Sequence, residues 1–176
     1  MEHPDQTVEQ LLQRFTPVLG NDFEKYRNHV YRVFSNCLLL DGEAANRGKY
    51  AVAAVFHDIG IWTDRTFDYL APSVEQAKIY LAETGKQDWT EEIAQMIYWH
   101  HKLSRYRSGS EKTVENFRKA DWIDVSWGIL YFGLDQRKIR ENRRQYPNAG
   151  FHLFLLKQSV RNFFRHPLNP LPVFKI

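Results

Sequence analysis

The chain carries one cysteine, Cys37, so no internal disulfide can form, and neither a disulfide scaffold nor a cysteine-based zinc cluster is available to it. That usage fits a reducing, cytoplasmic setting. Long apolar runs are also missing. Nothing approaches the roughly 18 continuous apolar residues that span a bilayer, so no membrane partner is expected. The first residues, Met1 to Gln6, have neither the basic start nor the apolar stretch of a signal peptide. Glycine is scarce, at 9 of 176 residues, and alternating strand-like patterns are absent, which argues against sheets. There is no internal repeat, low-complexity tract or linker. Neither sign of charge dominates: a net +3 is too small to argue for nucleic acid, which is not expected as a partner. The positive charge is uneven, however. Arg137, Lys138, Arg140, Arg143 and Arg144 form a basic run that reads either as a solvated helix face or as a contact for phosphate or an acidic partner.

Apolar residues make up 43% and aromatics 15%, enough for one well-buried domain over residues 1–176. Most of the chain follows the helical period. Helices are expected over about 5–19, kinked or ended near Pro17, then 22–40 and 44–56. Residues 60–72 read as a loop, with Ser73 as the N-cap of a helix to about Thr84 that Gly85 ends. Further helices follow over 90–103, 112–132, 135–145 and 148–164. The proline-rich end from His166 to Val173 reads as extended and packed on the surface. The fold class is all-α, a single-domain helical bundle.

Within this apolar frame a few polar groups face inward. His57-Asp58 closes the apolar run Tyr50–Phe56, just before the break at Ile59-Gly60. A buried imidazole and carboxylate each need a hydrogen bond or a cation, and a divalent metal ion serves both. His29 lies on the flank of the second helix's apolar face, beside a polar stripe of Asp22, Lys25, Arg32 and Asn36; alone it reads as an ordinary boundary histidine. Asp121 and Asp124 share a stripe with Val114 and Phe117. They need cations, or a salt bridge to Arg118, Lys119 or an arginine elsewhere. His100 and His101 follow one another on an inward face of the 90–103 helix. His29, His57, Asp58 and Asp121 together offer nitrogen and oxygen donors that suit one divalent ion of Mn, Fe, Co, Ni or Zn.

The order His29, then His57-Asp58, then Asp121 resembles the H…HD…D motif of the HD-domain superfamily of metal-dependent phosphohydrolases. The likeness covers roughly residues 20–132. Ile59-Gly60 extends the motif to His-Asp-Ile-Gly, and Ala120-Asp121-Trp122-Ile123-Asp124 is similar to the family's final segment. The resemblance implies an all-helical fold in which those four residues are metal ligands. The cyclic-dinucleotide phosphodiesterases of the HD-GYP branch carry a lysine after His-Asp-Ile-Gly and a His-Pro ahead of the next helix. This chain has Ile61 and Ala71-Pro72 there, and no Gly-Tyr-Pro. Cyclic-di-GMP hydrolysis is therefore not expected, and a mononuclear site is favoured, although His100 and His101 resemble paired histidines that support another ion. The span from Phe67-Asp68 through Ala77, Leu81 and Gly85 to Ile97–His100 is similar to small HD proteins that include cyanamide hydratase-like enzymes.

The expected function is metal-assisted hydrolysis of a nucleotide or other small phosphorylated metabolite. The metal would activate water and polarise the phosphoryl oxygen. Asp58 would be both ligand and base, and His100 would protonate the leaving oxygen, with His101 as the alternative. His101, Lys102 and Arg105 are candidate substrate contacts, and Arg107 extends that group. The cations read equally as a solvated helix end. Trp62, Tyr69 and Trp99 are candidates for stacking on a base, or plain packing. Two other readings stand beside this one: hydration or hydrolysis of a small non-phosphorylated substrate, and a metal-binding regulatory module without turnover. A homodimer stays open.

Overall fold

The computed structural model describes residues 4–167, and the part of the proline-rich end beyond Pro167 lies outside them. All regular structure among the described residues is helical, as the periodicity predicts. No helix among them is long and apolar enough to cross a membrane.

The amino-terminal helix is split. Asp5 caps α1 (Gln6–Arg14) by accepting the Thr7 and Val8 amides, and the chain breaks at Phe15 before a single turn, α2 (Thr16–Leu19), that holds Pro17 in its first turn. α3 (Phe23–Asp41) is the long central helix, ended by Gly42 in the left-handed conformation at φ 70°. α4 (Arg47–Phe56) has every residue from Tyr50 to Phe56 buried, so it lies at the centre of the bundle. α3 packs along α8 (Glu111–Val125), and α4 lies against α1, α3 and α7 (Thr90–Trp99). α6 (Leu70–Glu83) packs on α7, and α9 (Gln136–Gln145) rests on α3. α10 (Phe151–Arg165) touches the bundle chiefly through its first turn, where Phe151 is buried.

The segment read as a loop over 60–72 is shorter than expected. After His57-Asp58 the chain keeps turning through three-residue hydrogen bonds, Ile61 N–H to Asp58 O and Trp62 N–H to Ile59 O, both 3.0 Å, and forms the short α5 (Gly60–Thr63). Only 64–69 is irregular. α6 begins at Leu70, so Ser73 is not an N-cap. Its Oγ instead accepts the Gly60 amide at 3.0 Å and ties the His-Asp turn to α6. The helix read over 90–103 stops at Trp99, and that read over 112–132 stops at Val125. Trp127 and Gly128 adopt positive φ, which no α-helix accommodates, so the chain leaves α8 there.

The polar stripe of α3 is not a solvated side of the helix. Arg32 and Asn36 are 1% and 2% exposed, and they bond across to α8 and α9. Asn36 Nδ2 donates to Ala120 O, and Asn142 Nδ2 donates to Arg32 O and Asn36 Oδ1. The basic run forms α9. Lys138, Arg140 and Arg144 are exposed, while Ile139 and Asn142 turn inward.

Gly60 has a steric reason. A Cβ there would lie 2.5 Å from Tyr69 O and 2.9 Å from Pro72 Cβ. Gly60→Ala must push the start of α6 away from the His-Asp turn. It is expected to lower the unfolding free energy by about 1–3 kcal/mol, read as a lower urea midpoint with an unchanged m-value.

Candidate metal centre

α3, α4 and its following turn, α7 and its following turn, and α8 each bring polar side chains to one buried point. His29, His57 and His100 are fully buried, and Asp58 and Asp121 are 2% and 1% exposed. The tautomers of three imidazoles follow from their partners. His57 Nδ1 lies 2.8 Å from Ala54 O and His100 Nδ1 lies 2.6 Å from Ile97 O. A carbonyl only accepts, so both Nδ1 atoms carry the proton. His29 Nδ1 lies 2.7 Å from Asp124 Oδ2, an ionised carboxylate, and donates as well.

Each ring therefore turns its Nε2 toward the same point. His29 Nε2 and His57 Nε2 lie only 2.9 Å apart, a contact two lone pairs do not make without a proton or cation to share. Asp58 Oδ2 lies 3.3 Å from His57 Nε2 and 3.5 Å from His29 Nε2. Asp121 Oδ1 lies 3.6 Å from His29 Nε2 and 3.9 Å from His57 Nε2. Asp58 Oδ1, both Asp121 oxygens and His100 Nε2 are buried and make no hydrogen bond. Native cores seldom leave such atoms unsatisfied, and four of them meet at this one point. A divalent ion fits this donor set, because ligating histidines characteristically give their other N–H to a carbonyl or carboxylate.

Among the described residues, His29, His57 and Asp58 form one group with donor atoms close enough to share an ion, and Asp58, His100 and His101 form another. Asp58 belongs to both, with its Oδ1 3.4 Å from His100 Nε2. His101 bonds Tyr69 Oη at 2.5 Å and lies 3.6 Å from Asp121 Oδ2. The paired histidines thus sit beside His29, His57, Asp58 and Asp121.

Charge in the centre is divided unevenly. Burial opposes ionisation of Asp58, but His57, His100 and His29 outweigh it and hold the carboxyl well below its usual range. Burial raises the pKa of Asp121. Burial alone would depress His29, yet the Asp124 and Asp58 carboxylates outweigh it and lift the imidazole to about 9. His100 is raised against its own burial by Asp58 and Asp121. His101 is pushed well down by burial and by the neighbouring His100.

Asp124 has the salt bridge that was the alternative for this stripe, and its partner is Arg32. The Arg32 Nε and Nη2 groups donate to its two oxygens at 2.6 and 2.9 Å, while its Oδ2 also holds His29. Arg143 approaches the same carboxylate at 3.3 Å. Burial is again overcome, and Asp124 is held far below the usual carboxylate range. Arg32 Nη1 reaches the carbonyls of Tyr146 and Pro147 at 3.0 and 3.2 Å. Arg118 does not pair with Asp121; it bonds both Glu115 oxygens at 2.9 Å.

Sequence reasoning missed Arg32 as a partner of the site, although its spacing of three from His29 on α3 put both on neighbouring turns of one face. It also missed Phe151, whose ring stacks on His29 at 4.0 Å and 16°. Nothing local to residue 151 signals that contact. Of the candidate substrate contacts, His101 is beside the centre and Lys102 follows it half-buried. Arg105 is exposed and paired with Glu111 at 2.5 Å. Trp62 is buried between Tyr26 and Phe154, and Trp99 packs on Tyr106.

A family model described as HD domain matches residues 26–132. No curated protein and no solved structure matches the chain.

Removing the carboxylate that aims His29 tests the geometry. Asp124→Asn is expected to weaken divalent-ion binding about 10–100-fold, measured by competition with a chromophoric chelator. Arg32→Leu strands the buried Asp124 charge and is expected to cost about 3–5 kcal/mol in urea unfolding of the metal-free chain.

Proposed function

The chain belongs to the HD-domain family, and from that premise and the buried cluster we propose a metal-dependent hydrolase acting on the phosphate ester of a nucleotide or another small phosphorylated metabolite. One observation carries the reading: three imidazoles with committed Nδ1 protons turn their Nε2 atoms toward carboxylate oxygens that have no other partner.

His29, His57, Asp58 and Asp121 are the residues that would hold the ion. When bound, it supplies Lewis-acid polarisation of a phosphoryl oxygen and a water of lowered pKa. Asp58 faces two ways, with one oxygen toward His29 and His57 and the other toward His100. It is placed to hold the ion and to orient an attacking water as base. His100 keeps a proton at Nε2 more readily than an ordinary histidine, because Asp58 and Asp121 raise its pKa. It is therefore suited to give that proton to the leaving oxygen. His101, fixed by Tyr69, and Lys102 next to it are the substrate contacts of this reading. Arg105 is committed to Glu111 and contributes less. Phe117, edge-on to His57 at 5.6 Å, and Phe151 keep the back of the centre dry.

Protein loaded with Mn, Fe, Co, Ni or Zn is expected to release inorganic phosphate from at least one member of a panel of nucleotides and aryl phosphates. Asp58→Asn should lower kcat by about 100-fold or more, and His57→Ala should lose the ion in elemental analysis. Added metal should raise the melting temperature of the wild type and not of His57→Ala. An ion bound without release from any phosphate would move the reading to a non-phosphorylated substrate or to a module without turnover. No bound ion at all would end it.

A further inference from the structure

A cavity of about 660 Å³ opens between α2, α5, the 64–69 loop and α10, and none of the candidate metal ligands lines it. That volume falls in the range of small-molecule sites. Its lining combines two kinds of chemistry. Val18, Trp62, Phe67 and Phe154 are apolar, with Trp62 and Phe154 stacked at 5.1 Å and 7°. Arg65, Arg161 and Arg165 bring positive charge.

These three guanidinium groups differ from most arginines of the chain. Arg14, Arg27, Arg32, Arg47 and Arg118 each have a carboxylate partner. Arg65, Arg161 and Arg165 have none among the described residues. The one acid on the wall, Asp22, is already engaged by Lys25 Nζ at 2.6 Å and Trp62 Nε1 at 2.9 Å. Three unpaired like charges around one concavity repel each other and draw in an anion. The guanidinium fork suits phosphate oxygens in particular.

We propose that this cavity is a second ligand site, one that binds an organic phosphate. The phosphoryl groups sit on Arg65, Arg161 and Arg165, and an apolar or aromatic body lies against Phe67 and the Trp62–Phe154 pair. A nucleoside diphosphate has both parts. The site is separate from the metal centre, because Tyr26 stands between them, its ring 4.7 Å from Trp62 and 6.5 Å from His57. It is also built largely from segments outside the family match, Pro17 to Asp22 and α10. The binding needs neither a metal ion nor turnover.

The test is calorimetric titration of ADP into the full chain with chelator present. Saturable binding is expected, at least tenfold weaker in Arg161→Gln/Arg165→Gln and in Arg65→Gln, whose exposed side chains the fold does not need. Asp58→Asn, nearly isosteric, should leave it unchanged. So should Arg140→Gln/Arg144→Gln, which removes the same charge from the exposed face of α9. ADP should bind more tightly than either adenosine or pyrophosphate. The proposal is overturned by an absence of saturable binding, by equal loss in the α9 variant, or by loss in Asp58→Asn. Pyrophosphate binding as tightly as ADP would also overturn it, since the aromatic wall would then contribute nothing. None of these outcomes bears on whether the metal centre hydrolyses phosphate esters.

Discussion

The bond from His29 Nδ1 to Asp124, with Arg32 behind that carboxylate, is the contact on which the centre depends. It fixes the His29 tautomer, turns its Nε2 inward, and joins α3 to α8, the pair of helices that carries both ends of the H…HD…D set. A buried imidazole, carboxylate and guanidinium are each expensive in isolation. Linked in a row, each satisfies the next. The chain continues past Arg32 to two backbone carbonyls between α9 and α10, so the same row fastens the later helices to the centre.

Helix existence and order were legible because the apolar residues keep a 3.6-residue period almost without interruption. The donor residues were legible for another reason: a His-Asp pair at the end of an all-apolar helix has few explanations. Where the reading slipped, the deciding contact was long-range. Ser73 looked like an N-cap because the sequence does not reveal that its hydroxyl is held by Gly60, across the turn. Asp124 shares a stripe with Asp121, and the salt-bridge partner the stripe called for is Arg32, 92 residues away, which spacing on α8 does not reveal. The α3 stripe was legible as polar, but not that Arg32 and Asn36 on it are buried under α8 and α9. Phe151 stacks on a ring 122 residues earlier, and no periodicity reports such a contact.

The metal centre and the cavity beside α5 gather charged side chains of opposite sign. The centre gathers three buried carboxylates, Asp58, Asp121 and Asp124, against one buried arginine. The cavity below α5 gathers three arginines against one neutralised aspartate. Trp62 belongs to the wall of the second and lies four residues after Asp58 in the first, so one short turn of chain serves both. The Gly60 approach that draws α5 against α6 therefore sets the spacing of both regions.

Because Arg32 ends on the carbonyls of Tyr146 and Pro147, the family-matched core is not a portable unit in this chain. A fragment cut at residue 132 would keep every metal-ligand candidate yet leave a charged, buried donor facing vacated space. The ring of Phe151 would also be gone from His29. The later helices are thus a structural part of the centre rather than an appendage to it. Transplanting the motif-bearing segment alone into another protein would carry over the ligands without the means of holding them.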